Sequence, residues 1–377
     1  MKKSKIQTTL FMIITMVLFS FIGLVIGKGL TEYEKIIGND LSFLELILYL
    51  ILSVIIMYLF YFINTYAHEL GHVLFGLLTG YEFSSIRFGS ILIYKSEGKL
   101  KIGKYHMAGT GGQALMIPPK TDPFHMPYVL YNAGGLIINL LITILGGIIY
   151  LNTSNFYIRY IFILLSLTAL AVFVTNGLPF TELGTDGANI ILLKDKYARL
   201  SFYNSLIINH NLYNNIPIKD MDPNLFYYDK SIELKNPLVT ALAVNKFSYL
   251  FVSHQFDEAY ELGNYIKENA KSINKLHAIE IELDTLYMLI VIQKEYEKAK
   301  KEFDKNHKEY DGMKSMLPYN RTYYAYYKLV DIDEKKSKKA LDQFEKIAKN
   351  YPYKEDLKTE REFIQFVDHN SISNPVL

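Results

Sequence analysis

The run His68-Glu69-Leu70-Gly71-His72 holds two imidazoles and a carboxylate at a spacing that can do chemistry. On a helix, residues four apart lie one turn apart on the same face, so both histidines can point at one metal ion. Glu69 then stands close enough to take a proton from a water at that ion. The run lies among Phe62, Ile63, Val73, Leu74 and Phe75. Burying these groups in such surroundings is costly unless they are paired or functional. Gly71 either leaves room above a metal or lets another helix pack closely, and the sequence favours neither reading.

The elements that must position this run are apolar stretches long enough to span a bilayer, which takes about 20 residues each. They fall at about Thr8 to Ile26, Leu41 to Leu78, Tyr128 to Leu151 and Tyr157 to Thr175. The first lacks a small-residue cleavage site and reads as an uncleaved anchor. The second is too long for one perpendicular crossing. It is either a long tilted helix or a spanning helix that continues into a shorter segment. Lys2, Lys3 and Lys5, and then Arg87, Lys95, Lys99, Lys101, Lys104 and Lys120, place the N-terminus and the loop between the second and third spans in the cytoplasm. The expected location is a bacterial cytoplasmic membrane, crossed several times, with the C-terminal half also inside.

That topology puts the His68/His72 end of the second span toward the cytoplasm, so a third ligand should lie near the cytoplasmic end of another span. After the fourth span come Asn176-Gly177-Leu178-Pro179 and then Asp186-Gly187. Asp186 is an acidic residue at that depth, and Pro179 would break the helix and let the chain turn back. Two histidines, one carboxylate and an open position form a common catalytic zinc arrangement.

H-E-x-x-H in one span, with N-x-x-P and D-G after a later one, resembles the site-2 protease family of intramembrane zinc metalloproteases. The resemblance covers roughly Leu41 to Asn189. It implies Zn2+ held by His68, His72 and Asp186, with Glu69 as catalytic base. It also implies that Asn176 helps hold substrate or the active-site turn, and that Gly135-Leu136-Ile137-Ile138-Asn139 is the family's G-x-x-x-N element, making Gly135 and Asn139 supporting residues. Phe180 to Thr185 is longer than the family's usual spacing and has no proline, which leaves Glu182 as an alternative ligand. The other histidines, His106 and His125 among them, read as solvated or structural.

Between the second and third spans, Ser85 to Tyr94 and Leu100 to Tyr105 alternate as the strands of a hairpin around Lys95-Ser96-Glu97-Gly98-Lys99. Such an edge could take an extended substrate by strand addition, or be an ordinary surface hairpin. Gly109-Thr110-Gly111-Gly112-Gln113 lacks the Lys-Ser/Thr of a phosphate loop and reads as a tight turn.

The chain divides in composition, with 12 Lys/Arg and 10 Asp/Glu in residues 1 to 189 and 28 of each sign in residues 190 to 377. The expectation is a membrane-embedded domain over 1–189 and a cytoplasmic helical domain over 190–377. In the latter, Phe256-Asp257-Glu258-Ala259, Tyr296-Glu297-Lys298-Ala299 and Ser337-Lys338-Lys339-Ala340 recur at spacings of 40 and 41. This loosely resembles tetratricopeptide repeats, in which small alanines let paired helices pack closely. Individual aromatics such as Tyr323, Tyr324, Tyr326 and Tyr327 read as core, and Asp368 to Leu377 as a frayed end. The fold class is therefore mainly α: about four spans, a small β-hairpin and a repeat-like helical C-terminal domain.

A net charge of +2 with no basic arm gives no sign of nucleic-acid binding, and zero cysteines exclude disulfides and thiolate chemistry. The leading functional reading is a zinc endopeptidase that cuts a membrane protein or membrane-peptide precursor in or near a transmembrane segment. Lipid and a cytoplasmic protein at the helical domain are the other expected partners. The alternative is a membrane-anchored, non-catalytic scaffold acting through its repeats. A protease that trims prenylated tails would need a downstream glutamate ligand, which is not evident, and a transporter would show internal symmetry.

Overall fold

The computed structural model describes residues 2–104, 111–181, 184–351 and 353–373. Among these, thirteen α-helices and one small sheet form a mainly α-helical protein. Four helices carry the apolar stretches: α1 (Lys2–Ile37), α2 (Phe43–Leu78), α3 (Val129–Asn152) and α4 (Phe156–Gly177). Each is long and apolar enough to cross a membrane. A short helix, α5 (Asp186–Leu192), follows. The chain clusters into two compact units, one of residues 1–83, 111–114 and 127–192, the other of residues 84–110, 115–126 and 193–377.

In the first unit the usual inside-outside rule is reversed. The buried residues of α2 are Ser53, Asn64, His68, Glu69, Gly71, His72 and Gly76, while Leu48, Ile51, Leu52, Ile55 and Leu59 are exposed. A helix that hides its polar and small residues and displays its aliphatic ones is solvated by lipid. This is a polytopic helical membrane protein. Ser42 starts α2 with a capping box: its hydroxyl accepts from the Glu45 amide, and the Glu45 carboxylate accepts from the Ser42 amide at 2.9 Å. No break interrupts the helix, so the long second stretch is one continuous element that exceeds a perpendicular span. Three residues, Thr153 to Asn155, join α3 to α4 and make them antiparallel neighbours, with Asn155 capping α4 through the Ile158 amide. Polar side chains tie the helices together. Asn64 Nδ2 donates to Thr168 Oγ1 at 2.9 Å, and Ser166 Oγ donates to the Thr143 carbonyl at 2.7 Å.

The sheet has four strands rather than the two of the expected hairpin: β1 (Glu82–Phe88), β2 (Ile91–Ser96), β3 (Lys99–Lys104) and β4 (Gly112–Ile117), in the order β3-β2-β1-β4. The turn at Glu97 and Gly98 falls where expected, with both φ angles positive (52° and 76°), as in a type I′ hairpin turn. The segment read as one strand from Ser85 to Tyr94 is two. Gly89, at φ 57°, turns the chain back so that Phe88 pairs with Ile91 and Ser85 with Tyr94. Gly112 and Gln113 belong to β4 rather than to a turn, while Gly109 and Thr110 lie outside the described residues.

The second unit continues as α6 (Lys196–Tyr213), α7 (Pro237–Val252), α8 (Phe256–Asn269), α9 (Lys275–Val291), α10 (Tyr296–Tyr310), α11 (Leu317–Leu329), α12 (Glu334–Ala348) and α13 (Lys354–Ser373). Its core is conventionally apolar and includes Phe247, Phe251, Tyr287, Phe344 and Phe363. The recurring tetrapeptides open α8, α10 and the first turns of α12, and Ala259, Ala299 and Ala340 are all buried. Each is preceded by a residue in the left-handed region: His254 (φ 60°), Lys294 (φ 57°) and Ile332 (φ 50°). Tyr323, Tyr324 and Tyr326 are core, as expected, with Tyr327 partly buried. From Asp368 to Ser373 the chain is helical rather than frayed: the Tyr324 hydroxyl donates to Asp368 Oδ1 and Asn370 Nδ2 donates to the Val291 carbonyl, while residues 374–377 lie outside the described residues.

Candidate metal centre

His68 and His72 project from one face of α2, and α5 brings Asp186 to them. His68 Nε2 lies 3.2 Å from His72 Nε2 and 2.9 Å from Asp186 Oδ2, and His72 Nε2 lies 3.5 Å from Asp186 Oδ1. Ligands bonded tetrahedrally at 2.0–2.1 Å stand about 3.3 Å apart, so these separations fit one zinc-sized ion. Both histidines are buried, and Asp186 is 15 % exposed in its side chain.

The outer nitrogens decide what faces the centre. Asn139 Nδ2 donates to the Asn64 carbonyl at 3.1 Å, which turns Oδ1 of the same amide toward His68 Nδ1 at 2.6 Å. An amide oxygen only accepts, so His68 donates from Nδ1, and as a neutral ring it presents a lone pair on Nε2. His72 Nδ1 likewise donates to the Tyr131 carbonyl at 2.8 Å, so the neutral ring turns the lone pair of Nε2 inward. With both imidazoles neutral, two bare nitrogens and a carboxylate converge on one point. Asp186 Oδ2 is buried without a hydrogen bond of acceptable geometry, although His68 Nε2 is close. Three acceptors facing one another repel unless a cation lies between them, and this donor set is the one described group of residues with metal-chelating geometry. The residues fit a divalent metal ion.

Glycines let the backbone approach the site. A Cβ on Gly71 would lie 2.5 Å from the Gly134 carbonyl oxygen, and one on Gly134 would lie 2.4 Å from that of Gly71. Gly71 thus serves close packing of α2 on α3. A Cβ on Gly135 would meet the His68 ring at 2.5 Å, so that glycine makes room for the ligand itself. At Gly187 a Cβ would lie 1.9 Å from the Gly177 carbonyl oxygen, so the chain following Asp186 can pack against the end of α4 only as glycine. Thr185 fixes the same turn, its hydroxyl donating to the Leu178 carbonyl and accepting from the Phe180 and Ala188 amides.

Glu69 is 8 % exposed, and its carboxylate packs against Gly112, where a Cβ would lie 2.8 Å from Oε1. Asn176 donates to the Val172 carbonyl one turn back in α4. Glu182 and His106 lie outside the described residues, and His125 is exposed beside Asp122. Sequence reasoning missed the Tyr131 carbonyl, Asn64, Gly112 and Gly134. Tyr131 is itself held by stacking on Tyr81 at 4.8 Å and by donating to the Ala114 carbonyl at 2.9 Å.

Comparison with family models, curated proteins and solved structures finds no match to this chain.

Proposed function

We propose that the chain is an intramembrane zinc metalloendopeptidase of the site-2 protease type, which hydrolyses a peptide bond in or near a transmembrane segment of a membrane protein or peptide precursor. The observation that carries this reading is the convergence of three ligand atoms able to hold one metal ion in a lipid-solvated helix bundle, with Glu69 buried beside them. Zn2+ held by His68, His72 and Asp186 would supply Lewis acidity toward a scissile carbonyl and make water acidic near neutral pH.

The chain's own residues do the rest. Asn139 and the Tyr131 carbonyl keep each ligand imidazole in one tautomer and orientation. Glu69 acts as general base toward the attacking water and returns the proton to the leaving amine nitrogen. β4 is an edge strand whose first residue, Gly112, borders Glu69. An unwound substrate segment added to that edge would be held by main-chain hydrogen bonds beside the base.

Both termini are assigned to the cytoplasm from the lysine and arginine placement. The helical hairpins from α8 onward then serve as a tetratricopeptide-like module that recruits a cytoplasmic protein, with lipid as the remaining partner and no nucleic acid. A non-catalytic scaffold is the weaker reading, because a structural metal site has no use for a glutamate at position 69. The test is a comparison of new protein termini in host membranes carrying the native chain or Glu69→Gln. Termini within or beside transmembrane segments, present only with the native chain, support the reading. Identical sets of termini contradict it.

A further inference from the structure

In the second unit, far along the sequence from the metal ligands, a cavity of about 370 Å³ lies between α7, α9, α11, α12 and α13. Its size is that of small-molecule sites. Phe251, Val252, Leu276, Leu317 and Ile347 give it apolar walls, and Glu280, Asp284, Asp356 and Glu360 contribute carboxylates. Arg321 is wholly buried beside them, paired with Asp284 and with Glu360 Oε1 at 3.2 Å, and lies over the rings of Phe251, Tyr287 and Phe363. One guanidinium thus faces four carboxylates. Glu360 is 7 % exposed, yet its Oε2 has no hydrogen-bond partner among the described residues. A buried carboxylate oxygen without a partner is costly, and this one lines the cavity.

We propose that this cavity binds a primary alkylammonium group, the chemistry shared by a lysine side chain and a free linear polyamine. An ammonium supplies three donors as a compact point charge and can satisfy Glu360 Oε2 together with Glu280, which projects from a different helix. The planar fork of a guanidinium is already present in Arg321. The apolar walls suit a methylene stem, as when lysine buries its chain and pairs its head. A metal ion fits less well: among the described residues, only His68, His72 and Asp186 converge closely enough to chelate one.

Proton uptake supports the assignment. Burial pushes the Glu280 carboxyl up to about 8, with Asp284 and Asp356 adding and Arg321 opposing. Burial likewise pushes Glu360 up to about 8, against the pull of Arg321. The other ionisable groups around the cavity are Tyr351, whose hydroxyl donates to Asp356 at 2.6 Å, and the exposed Lys104 and Lys346. An entering ammonium displaces protons from Glu280 and Glu360. Affinity therefore rises with pH up to about 8. Amines remain protonated until about 10.4.

The test is calorimetric titration of the full chain in detergent with Nα-acetyl-lysine methylamide, with spermidine, and with the uncharged Nα-acetyl-norleucine methylamide. The expected result is one site for an amine, at least about tenfold weaker binding of the norleucine compound, and a similar loss in Glu360→Gln and Glu280→Gln. Glu280→Gln leaves the Arg321 ion pairs intact and keeps the test valid if Glu360→Gln does not fold. Tighter binding of the lysine compound assigns the site to a peptide, and tighter binding of spermidine to a free polyamine. Absence of binding by both amines, equal binding of the norleucine compound, or unchanged affinity in both variants overturns the proposal.

Discussion

Two regions of this molecule bury ionisable groups, and they balance them differently. Around His68, His72 and Asp186 three ligand atoms converge, and Asn139 and Tyr131 accept hydrogen bonds from the imidazoles on the far side. Around Arg321 the chain supplies its own cation, held by Asp284 and Glu360 and covered by three aromatic rings. The first region offers a place for an ion from outside. The second is largely complete as folded, with excess carboxylate on its cavity side. The comparison teaches that burial alone does not mark a functional centre. The absence of an internal counter-charge does.

The sharpest break between the regions should come from removing a group that neither binds metal nor stabilises the fold. Glu69→Gln should lower peptide hydrolysis by about 10²–10⁴-fold, measured on a substrate found by the membrane terminus comparison, while retained metal is measured on the same preparation. Loss of metal together with activity would make Glu69 a structural residue instead. In the second region the corresponding change is Arg321→Ala. It leaves Asp284 buried without its cation and Glu360 without its hydrogen-bond donor, and should destabilise the C-terminal unit by about 3–5 kcal/mol in chemical denaturation. Metal content should be unchanged.

Asn139→Ala sharpens the comparison on the metal side. Without an acceptor at His68 Nδ1, the ring is no longer held to one tautomer, and zinc affinity should fall by about 10–100-fold in a chelator competition. An unchanged affinity would mean that the helix backbone alone orients His68. A further effect is expected from pH. The Glu280 and Glu360 carboxyls stand at about 8 when folded, against the usual 4.5. The folded state therefore holds protons that the unfolded chain has released. Stability of the C-terminal unit should fall as pH rises from 4.5 to about 8 and then level off. The slope is up to about 1.4 kcal/mol per pH unit for each carboxyl. A flat denaturation midpoint over that range would contradict the burial of these two groups as acids, and Glu280→Gln should flatten half of the slope.

The sequence made His68, Glu69 and His72 legible because a single helix carries them and its period alone sets the common face of the two histidines. Asp186 was legible only through topology, since its approach depends on how α4 ends and on Gly187 packing against the Gly177 carbonyl. Asn139 and Gly135 were reached by resemblance, and their roles as partner and clearance for the His68 ring come from the packing of α3 on α2. The Tyr131 carbonyl was beyond reach, because any residue offers a carbonyl and residue type does not encode its use. The spans were read closely from apolar length. The sheet was not: alternation runs on through Phe88 and Ile91 although Gly89 reverses the chain between them, and Gly112 opens a strand while sitting in a glycine-rich stretch. In the helical half, the repeated alanines announced close packing, whereas the Arg321 cluster draws its members from α9, α11 and α13 and has no local signature.

Metal analysis of the detergent-purified chain beside its Asp186→Ala variant tests the central claim most directly. About one zinc per native chain and a marked loss in the variant is the expected result, because the variant keeps two ligands of three. A native chain without zinc after reconstitution would contradict the metal centre, and zinc retained in full by the variant would remove Asp186 from it.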